Sequence, residues 1–241
     1  MSTVLASKRS DSADRFKHFG VKLYQDTLIE AGISLAVKLQ CDRVKNVVFI
    51  DRKARNANLA LKLAWRQLFS DEKCPQVYFV NPEVFGEGIC GSIRSRFEER
   101  YANLLRGADD KTVVFDGCIH TGKTFRLVIG GLQKAGLNDV YGIVSDNPPW
   151  WRFEIQNCYD IVFLDNIFGK RWHDTCFTFS PEWKSLVDTS PSRTVALNIV
   201  TSVRNNETDS LVEAREIREE IYRIFTGPEG TSKIDRFLNP F

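Results

Sequence analysis

The residue types best suited to phosphate binding lie in residues 113–124, which read VVFDGCIHTGKT. An apolar run leads into a loop with two glycines, and the loop opens into a pattern typical of a helix. Glycines let the backbone approach a ligand closely. The N–H groups and the dipole at a helix N-terminus favour a bound phosphate. Thr121 and Thr124 add hydroxyl donors, so the sequence predicts a phosphate-binding loop between a buried strand and a helix.

One interpretation of this loop is a P-loop of the nucleoside triphosphatases. Residues 117–124 match the pattern G-x-x-x-x-G-K-[ST], and residues 159–165, YDIVFLD, are similar to a Walker B strand. A P-loop usually follows the first strand of its domain and has small residues at its variable positions. Here two predicted strand–helix units precede the loop, and Ile119 is β-branched. A P-loop ATPase or kinase is therefore the less favoured alternative.

The second interpretation depends on a family resemblance. The loop resembles the phosphoribosyl pyrophosphate (PRPP) loop of type I phosphoribosyltransferases. In that family an apolar strand, the third of the core, ends in two acidic residues followed by Thr-Gly and often Lys-Thr. The resemblance covers about residues 47–165. The chain departs from the family pattern at Gly117, which replaces the second acid, and at His120, where many purine-specific members carry an aspartate.

The resemblance implies a role for each matching residue. Asp116 would bind the ribose hydroxyls and act in catalysis together with His120. Asp116 would also contact a metal ion indirectly, through the substrate. Backbone N–H groups and threonine hydroxyls would bind the 5′-phosphate, and the residues concerned are His120, Thr121, Gly122, Lys123 and Thr124. The cofactor implied is Mg²⁺, bound together with PRPP.

A second candidate anion site follows the first predicted strand. Residues 51–56 read DRKARN, which puts three cations within four residues at the carboxyl end of a strand. Cations at a helix N-terminus oppose the helix dipole, so a bound anion would compensate them. In the resembled family the loop at this place binds pyrophosphate, which assigns Arg52, Lys53 and Arg55 to that role. The alternative is a solvated charge cluster before a helix.

The acceptor pocket is predicted after the fifth strand. Asp165 ends that strand, and Phe168 and Trp172 follow it. In the resembled family this region helps to build the pocket for the accepting base, and aromatic rings can stack on a base. A surface hairpin with packing aromatic residues is the alternative.

The elements that must position these loops follow from the apolar pattern. Short buried runs at 46–50, 77–80, 112–115, 140–144 and 161–164 alternate with helical patterns at 57–69, 92–105 and 124–135. The last of these helices is predicted to end at Gly136. This alternation predicts an α/β fold with a doubly wound, mostly parallel sheet of about five strands. In such sheets ligands bind outside the carboxyl ends of the strands.

Helices are also predicted before and after these segments in the sequence. The N-terminal pattern covers residues 15–39, with possible breaks at Gly20 and Gly32, and a further helix is predicted at 206–225. A weak edge strand is predicted at 194–200, and residues 226–241 are expected to be irregular. The domain prediction is a mobile tail at 1–14 and a single α/β domain at 15–241. That domain has its core at about 44–166 and a C-terminal extension at 167–241.

Composition limits the class of protein. The 33 Lys and Arg residues nearly balance the 31 Asp and Glu residues, so there is no strong nucleic-acid signal. No apolar run reaches the ~18 residues of a membrane helix. Six scattered cysteines are typical of a reducing compartment, so the expected location is cytoplasmic. The expected partners are PRPP and an acceptor. We also expect a homodimer, or docking to a partner through the C-terminal region.

These observations favour a phosphoribosyltransferase-like enzyme. It would transfer phosphoribosyl from PRPP to a nucleobase or a related acceptor and release pyrophosphate. A catalytically weak regulator or effector that binds PRPP or a nucleotide on the same fold is the first alternative, because Gly117 removes one acid. A P-loop NTPase or kinase is the second.

Overall fold

The computed structural model describes residues 16, 19–20, 22–50, 55–80, 82, 101–118, 122–146, 161–164 and 207–239. The chain divides into two compact units. One is Ala31–Thr178, and the other combines Met1–Glu30 with Phe179–Phe241. The predicted division into a tail, a core and a C-terminal extension stays a prediction.

The first unit is built on a parallel sheet. Its described strands are β1 (Asn46–Ile50), β2 (Gln76–Val80), β3 (Thr112–Cys118), β4 (Val140–Asp146) and β5 (Ile161–Phe163). They lie in the order β2-β1-β3-β4-β5, and every neighbouring pair is parallel. All five residues of β1 are buried, as expected for a strand covered on both faces. The predicted doubly wound α/β fold is confirmed.

Helices connect these strands. Helix α1 (Lys22–Cys41) precedes β1, α2 (Arg55–Leu68) joins β1 to β2, α3 (Ala102–Arg106) precedes β3, and α4 (Lys123–Lys134) joins β3 to β4. The predicted end of α4 at Gly136 is confirmed. Gly136 has φ 104° and donates its N–H to Gln133 O at 3.0 Å, while Leu137 donates to Leu132 O at 3.2 Å. This is the bond pattern of a left-handed helix cap, which favours glycine.

Helices α3 and α4 cover one face of the sheet. Buried side chains of this face form a single apolar cluster with them. The cluster includes Val48, Ile50, Val80, Val114, Val144 and Ile161 from the strands, and Leu104, Phe125, Val128, Ile129 and Leu132 from the helices. Alternate residues of each strand point to this face. Burial of these side chains holds α4 against β3 and β4.

The second unit contains α5 (Glu207–Thr226), α6 (Pro228–Leu238) and the first turns of α1. Ion pairs connect α6 to α1. Lys233 Nζ lies 3.1 Å from Asp26 Oδ1 and 2.9 Å from Glu30 Oε1. Lys22 pairs with both Asp26 and Glu229. These partly exposed charges form a network, in which pairs contribute more than isolated surface pairs do.

Two sequence expectations about helices were wrong. Residues 226–241 were expected to be irregular, but α6 occupies Pro228–Leu238. Proline at the first position of a helix is favourable, since its missing N–H has no intrahelical partner there. Gly32 was a possible break, but α1 continues through it. The predicted helix at 206–225 is confirmed by α5, and the predicted edge strand at 194–200 lies outside the described residues.

No helix in the described part of the chain combines the length and the apolar character needed to cross a membrane.

A partly buried polar contact joins the end of α1 to β4. The Asp42 carboxylate accepts a hydrogen bond from Lys38 Nζ at 3.0 Å and another from the Tyr141 hydroxyl. Burial alone would raise the pKa of Asp42. The hydrogen bonds from Lys38 and Tyr141, together with the charges of Lys38 and Lys111, outweigh burial and lower that pKa. Burial and the bond to Asp42 raise the pKa of Tyr141.

We predict that Asp42→Asn lowers the free energy of unfolding at neutral pH by about 1 kcal/mol. The folded-state pKa of Asp42 lies below its unfolded value, so this stabilisation is present above the unfolded pKa. It is lost as pH falls through the folded pKa. Urea denaturation should therefore show that the gap between wild type and variant closes under acidic conditions. The exposed Asp71→Asn is the control. A gap that is the same at all pH values would contradict the role of the carboxylate.

Candidate functional site

The sheet changes direction between β1 and β3. The chain moves outward from β1 to β2 on one side and from β3 to β5 on the other. The β1–β3 pairing ends at Phe49 and Phe115, whereas the β3–β4 pairing continues to Cys118 and Asp146. This is the topological switch point, where doubly wound sheets bind ligands. Both predicted anion-binding loops begin here, one after Ile50 and one after Cys118.

Asp116 lies at the carboxyl end of β3. It is partly exposed, whereas Phe115 before it is buried. Because side chains alternate along a strand, Asp116 shares the face of Val114, which is the face that α4 covers. The carboxylate is thus at the ligand end of the sheet and on the side of the helix that follows the loop. This placement agrees with the ligand-binding role that the sequence predicts for it.

Gly122 starts helix α4 in a conformation that favours glycine. Its φ is 66° and its ψ is −1°, in the left-handed region, and it is the N-cap of the helix. A side chain at this position would cost about 1 kcal/mol or more. The helical bonding starts where Arg126 N donates to Gly122 O at 2.9 Å. Gly122, one of the two glycines of the predicted loop, therefore takes the left-handed conformation directly before the helix.

The first turn of α4 is polar and carries no acid. Lys123, Thr124 and Arg126 are exposed, and Phe125 between them is buried. The positive end of the helix dipole and the two cations are therefore not offset by an acidic residue in this turn. Such a helix start suits an anion.

Phe125 packs against the sheet at a glycine of β4. A Cβ atom on Gly142 would lie 2.1 Å from Phe125 Cε1 and 2.6 Å from Cζ, far inside van der Waals contact. Only glycine fits unless the ring moves. The absence of a side chain lets the first turn of α4 approach β4 closely, which fixes the position of the helix N-terminus.

A buried hydroxyl contacts the other end of the loop. Ser145 of β4 is 2% exposed, and its Oγ donates to Gly117 O at 2.6 Å. Gly117 directly follows Asp116. The end of β3 is therefore bound to β4 by a side chain as well as by the backbone ladder.

The structure describes one of the three cations predicted for pyrophosphate. Arg55 is exposed at the first position of α2, with its guanidinium carbon 5.8 Å from the centre of the Phe79 ring. This cation–π contact directs the side chain over β2. Arg52 and Lys53 lie outside the described residues.

The remaining predicted site residues are only partly described. Asp116, Gly122, Lys123 and Thr124 lie at the two sides of one strand–helix junction. Outside the described residues are His120, Thr121, Asp165, Phe168 and Trp172. Within the described residues, no group of three or more His, Cys, Asp or Glu side chains is arranged to hold a metal ion. The predicted metal contact of Asp116, through a substrate, stays a prediction.

Sequence reasoning missed two residues of β4, Ser145 and Gly142. The strand reads VYGIVSD, so the glycine and the serine inside it were both visible in the sequence. A glycine inside a strand often marks a close approach of another segment. A serine among buried apolar residues needs a hydrogen-bond partner. Neither signal identifies its partner, which is Gly117 of β3 for Ser145 and Phe125 of α4 for Gly142.

No protein-family model matches the chain, and no curated protein matches it. A functional assignment therefore depends on the residues and geometry of the site itself.

We predict that Gly142→Ala destabilises the protein by about 1–3 kcal/mol, because the added methyl group displaces the Phe125 ring. Gly130→Ala is the matched control. Gly130 lies on α4 with nothing within 4 Å of an added Cβ, so alanine there should raise stability by up to about 1 kcal/mol. Urea denaturation of both variants measures the difference. Equal stability of Gly142→Ala and wild type would contradict the close packing.

Proposed function

We propose that the protein binds PRPP and transfers its phosphoribosyl group to a nucleobase or a related acceptor, with release of pyrophosphate. One observation carries the proposal. The carboxylate of Asp116 lies near the end of the central strand β3, at the switch point, and α4 follows β3 in the chain with the left-handed Gly122 as its N-cap. This is the order of groups needed to bind a ribose and its 5′-phosphate together.

The chemistry asks for positioning and charge stabilisation more than for covalent catalysis. The bond from ribose C1′ to the pyrophosphate oxygen breaks, and pyrophosphate departs with the electron pair. A nitrogen of the acceptor bonds to C1′ and passes its proton to the departing pyrophosphate. Positive charge develops on the ribose ring meanwhile, and the Asp116 carboxylate is suited to stabilise it.

The other predicted groups have separate tasks. Loop N–H groups from His120 to Thr124 bind the 5′-phosphate, with the hydroxyls of Thr121 and Thr124 as further donors. His120 is the candidate catalytic group beside the acceptor. Arg52, Lys53 and Arg55 hold the departing pyrophosphate. The acceptor contacts Asp165, Phe168 and Trp172.

Mg²⁺ fits this set of donors. The ion typically takes several of its ligands from substrate oxygens, and the Asp116 carboxylate would bind the ribose hydroxyls beside it. When bound, Mg²⁺ would neutralise part of the charge on the leaving pyrophosphate. Asp116 would contact the ion only indirectly, through the substrate.

A PRPP-binding regulator with little transferase activity is the second candidate. It is favoured by Gly117, which stands where the resembled family has a second acid. Calorimetry with PRPP, with and without Mg²⁺, tests binding in both cases. A pyrophosphate-release assay with a panel of bases then separates them. Binding with release supports the enzyme, and binding without release supports the regulator. Absence of PRPP binding would refute both.

We predict that Asp116→Asn reduces turnover by about 10²-fold or more. The amide keeps the shape and a hydrogen-bonding oxygen but removes the charge that opposes the developing positive charge. PRPP affinity should fall by only about tenfold or less, since binding uses the charge less than the transition state does. The control is Asp110→Asn, which alters an exposed carboxylate before the amino end of β3. Equal losses of affinity and turnover would contradict a role in the transition state.

We predict that Lys123→Ala weakens PRPP binding by about 1 kcal/mol or less, because Lys123 is exposed and backbone N–H groups do most of the phosphate binding. In a P-loop enzyme the corresponding lysine reaches the β- and γ-phosphates. ATP binding and hydrolysis by wild type, both abolished in Lys123→Ala, would therefore replace the PRPP proposal with the P-loop alternative. Calorimetry with PRPP and with ATP, on both proteins, measures the difference.

A further inference from the structure

Within the described residues, the last three residues of β3 pair with β4. Up to Phe115 the strand pairs with β1 and β4, and from Asp116 to Cys118 the described pairing is with β4. A strand end with one neighbour opens more easily than one inside a sheet, because fewer backbone bonds must break. Yet this end carries Asp116, whose carboxylate must keep one orientation to act on a ligand. A buried contact beside Asp116 would favour that orientation.

Ser145 supplies that contact. Its hydroxyl is buried, and its 2.6 Å bond goes to the carbonyl of Gly117, the residue next to Asp116. A buried hydroxyl stabilises only while it is bonded, so the serine favours the arrangement in which Gly117 O faces it. Gly142, three residues earlier on β4, receives the Phe125 ring at the other end of the loop. One strand thus restrains the loop on both sides.

We propose that Ser145 is a positioning residue of the candidate site. Its hydrogen bond to Gly117 holds the carboxyl end of β3 in one conformation, and so orients Asp116 and the start of the phosphate loop. For PRPP as the ligand, this inference rests on the proposed function. The restraint on β3 itself does not, and it is measurable without any ligand.

A purely structural role for Ser145 is the competing explanation, and Thr112 is the matched control for it. Thr112 lies at the opposite end of β3, is also buried, and its hydroxyl donates to Asp110 O at 3.0 Å. Thr112→Val removes that hydroxyl with little change in shape. Ser145→Ala and Thr112→Val each remove a hydroxyl that donates to a backbone carbonyl, but only the first removes one near Asp116. Thr112→Val also removes the acceptor of Asn46 Nδ2 at 3.4 Å, so its loss of stability should be at least as large.

The experiment compares Ser145→Ala, Ser145→Thr and Thr112→Val with wild type. Amide hydrogen exchange is followed in residues 116–118 and 122–126, and PRPP affinity with Mg²⁺ is measured by calorimetry. We expect Ser145→Ala to exchange at least about tenfold faster in these segments and to bind PRPP about tenfold more weakly. Ser145→Thr keeps a hydroxyl and should restore both. Thr112→Val should leave both unchanged, even where its loss of stability is equal.

The outcomes separate this inference from the proposed function. Faster exchange confined to Ser145→Ala supports the positioning role, whether or not wild type binds PRPP. Failure of wild type to bind PRPP refutes the proposed function and leaves the exchange comparison decisive for Ser145. Exchange and affinity in Ser145→Ala that match those in Thr112→Val would overturn the inference. Should Ser145→Ala not fold, Ser145→Cys gives the same test, since a thiol is a weak donor of nearly the same size.

Discussion

The candidate site depends on how β3 pairs with its two neighbours. Its described ladder to β4 is longer than its described ladder to β1. Up to Phe115 the strand is buried between β1 and β4, and the Phe49 and Phe115 rings meet edge to face with their centres 5.3 Å apart. Beyond that point the ladder to β1 stops and the ladder to β4 continues. The burial of β3 up to Phe115 makes the base of the candidate site rigid, because close-packed aromatic rings resist displacement. Beyond Phe115 the described neighbour of the strand is β4, and Asp116 lies in this part of β3.

At the C-terminal end of the loop, the close approach of α4 to β4 depends on two glycines, which have no side chain. Gly122 adopts a left-handed conformation that a larger residue would strain, and Gly142 leaves room for the Phe125 ring. Glycine costs conformational entropy on folding, so such positions lower the stability of the elements that contain them. Burial of the apolar cluster beneath α4 offsets that cost. The helix N-terminus is thus held by packing further along the helix.

The sequence predicted the parts of this arrangement that depend on local pattern. Continuous apolar runs identified all five described strands, and Gly136 identified the end of α4. Contacts between segments could not be read in the same way. Periodicity does not say that Ser145 faces Gly117, since this follows from the pairing of β3 with β4. Helix α6 was missed because its apolar residues are few, although Pro228 marks its start.

The geometry of β3 also bears on the missing second acid. Consecutive side chains of a strand point to opposite faces, so an acid at position 117 would not lie beside the carboxylate of Asp116. It would lie on the other face, at a buried position whose carbonyl already binds Ser145. A carboxylate there must lose water, which raises its pKa and disfavours its charge unless a cation or a ligand compensates. Glycine at 117 removes that cost and leaves the face of Asp116 unchanged. Under the proposed function, the choice between an enzyme and a binding protein therefore depends on whether the charge of Asp116 alone is enough to stabilise a positively charged ribose.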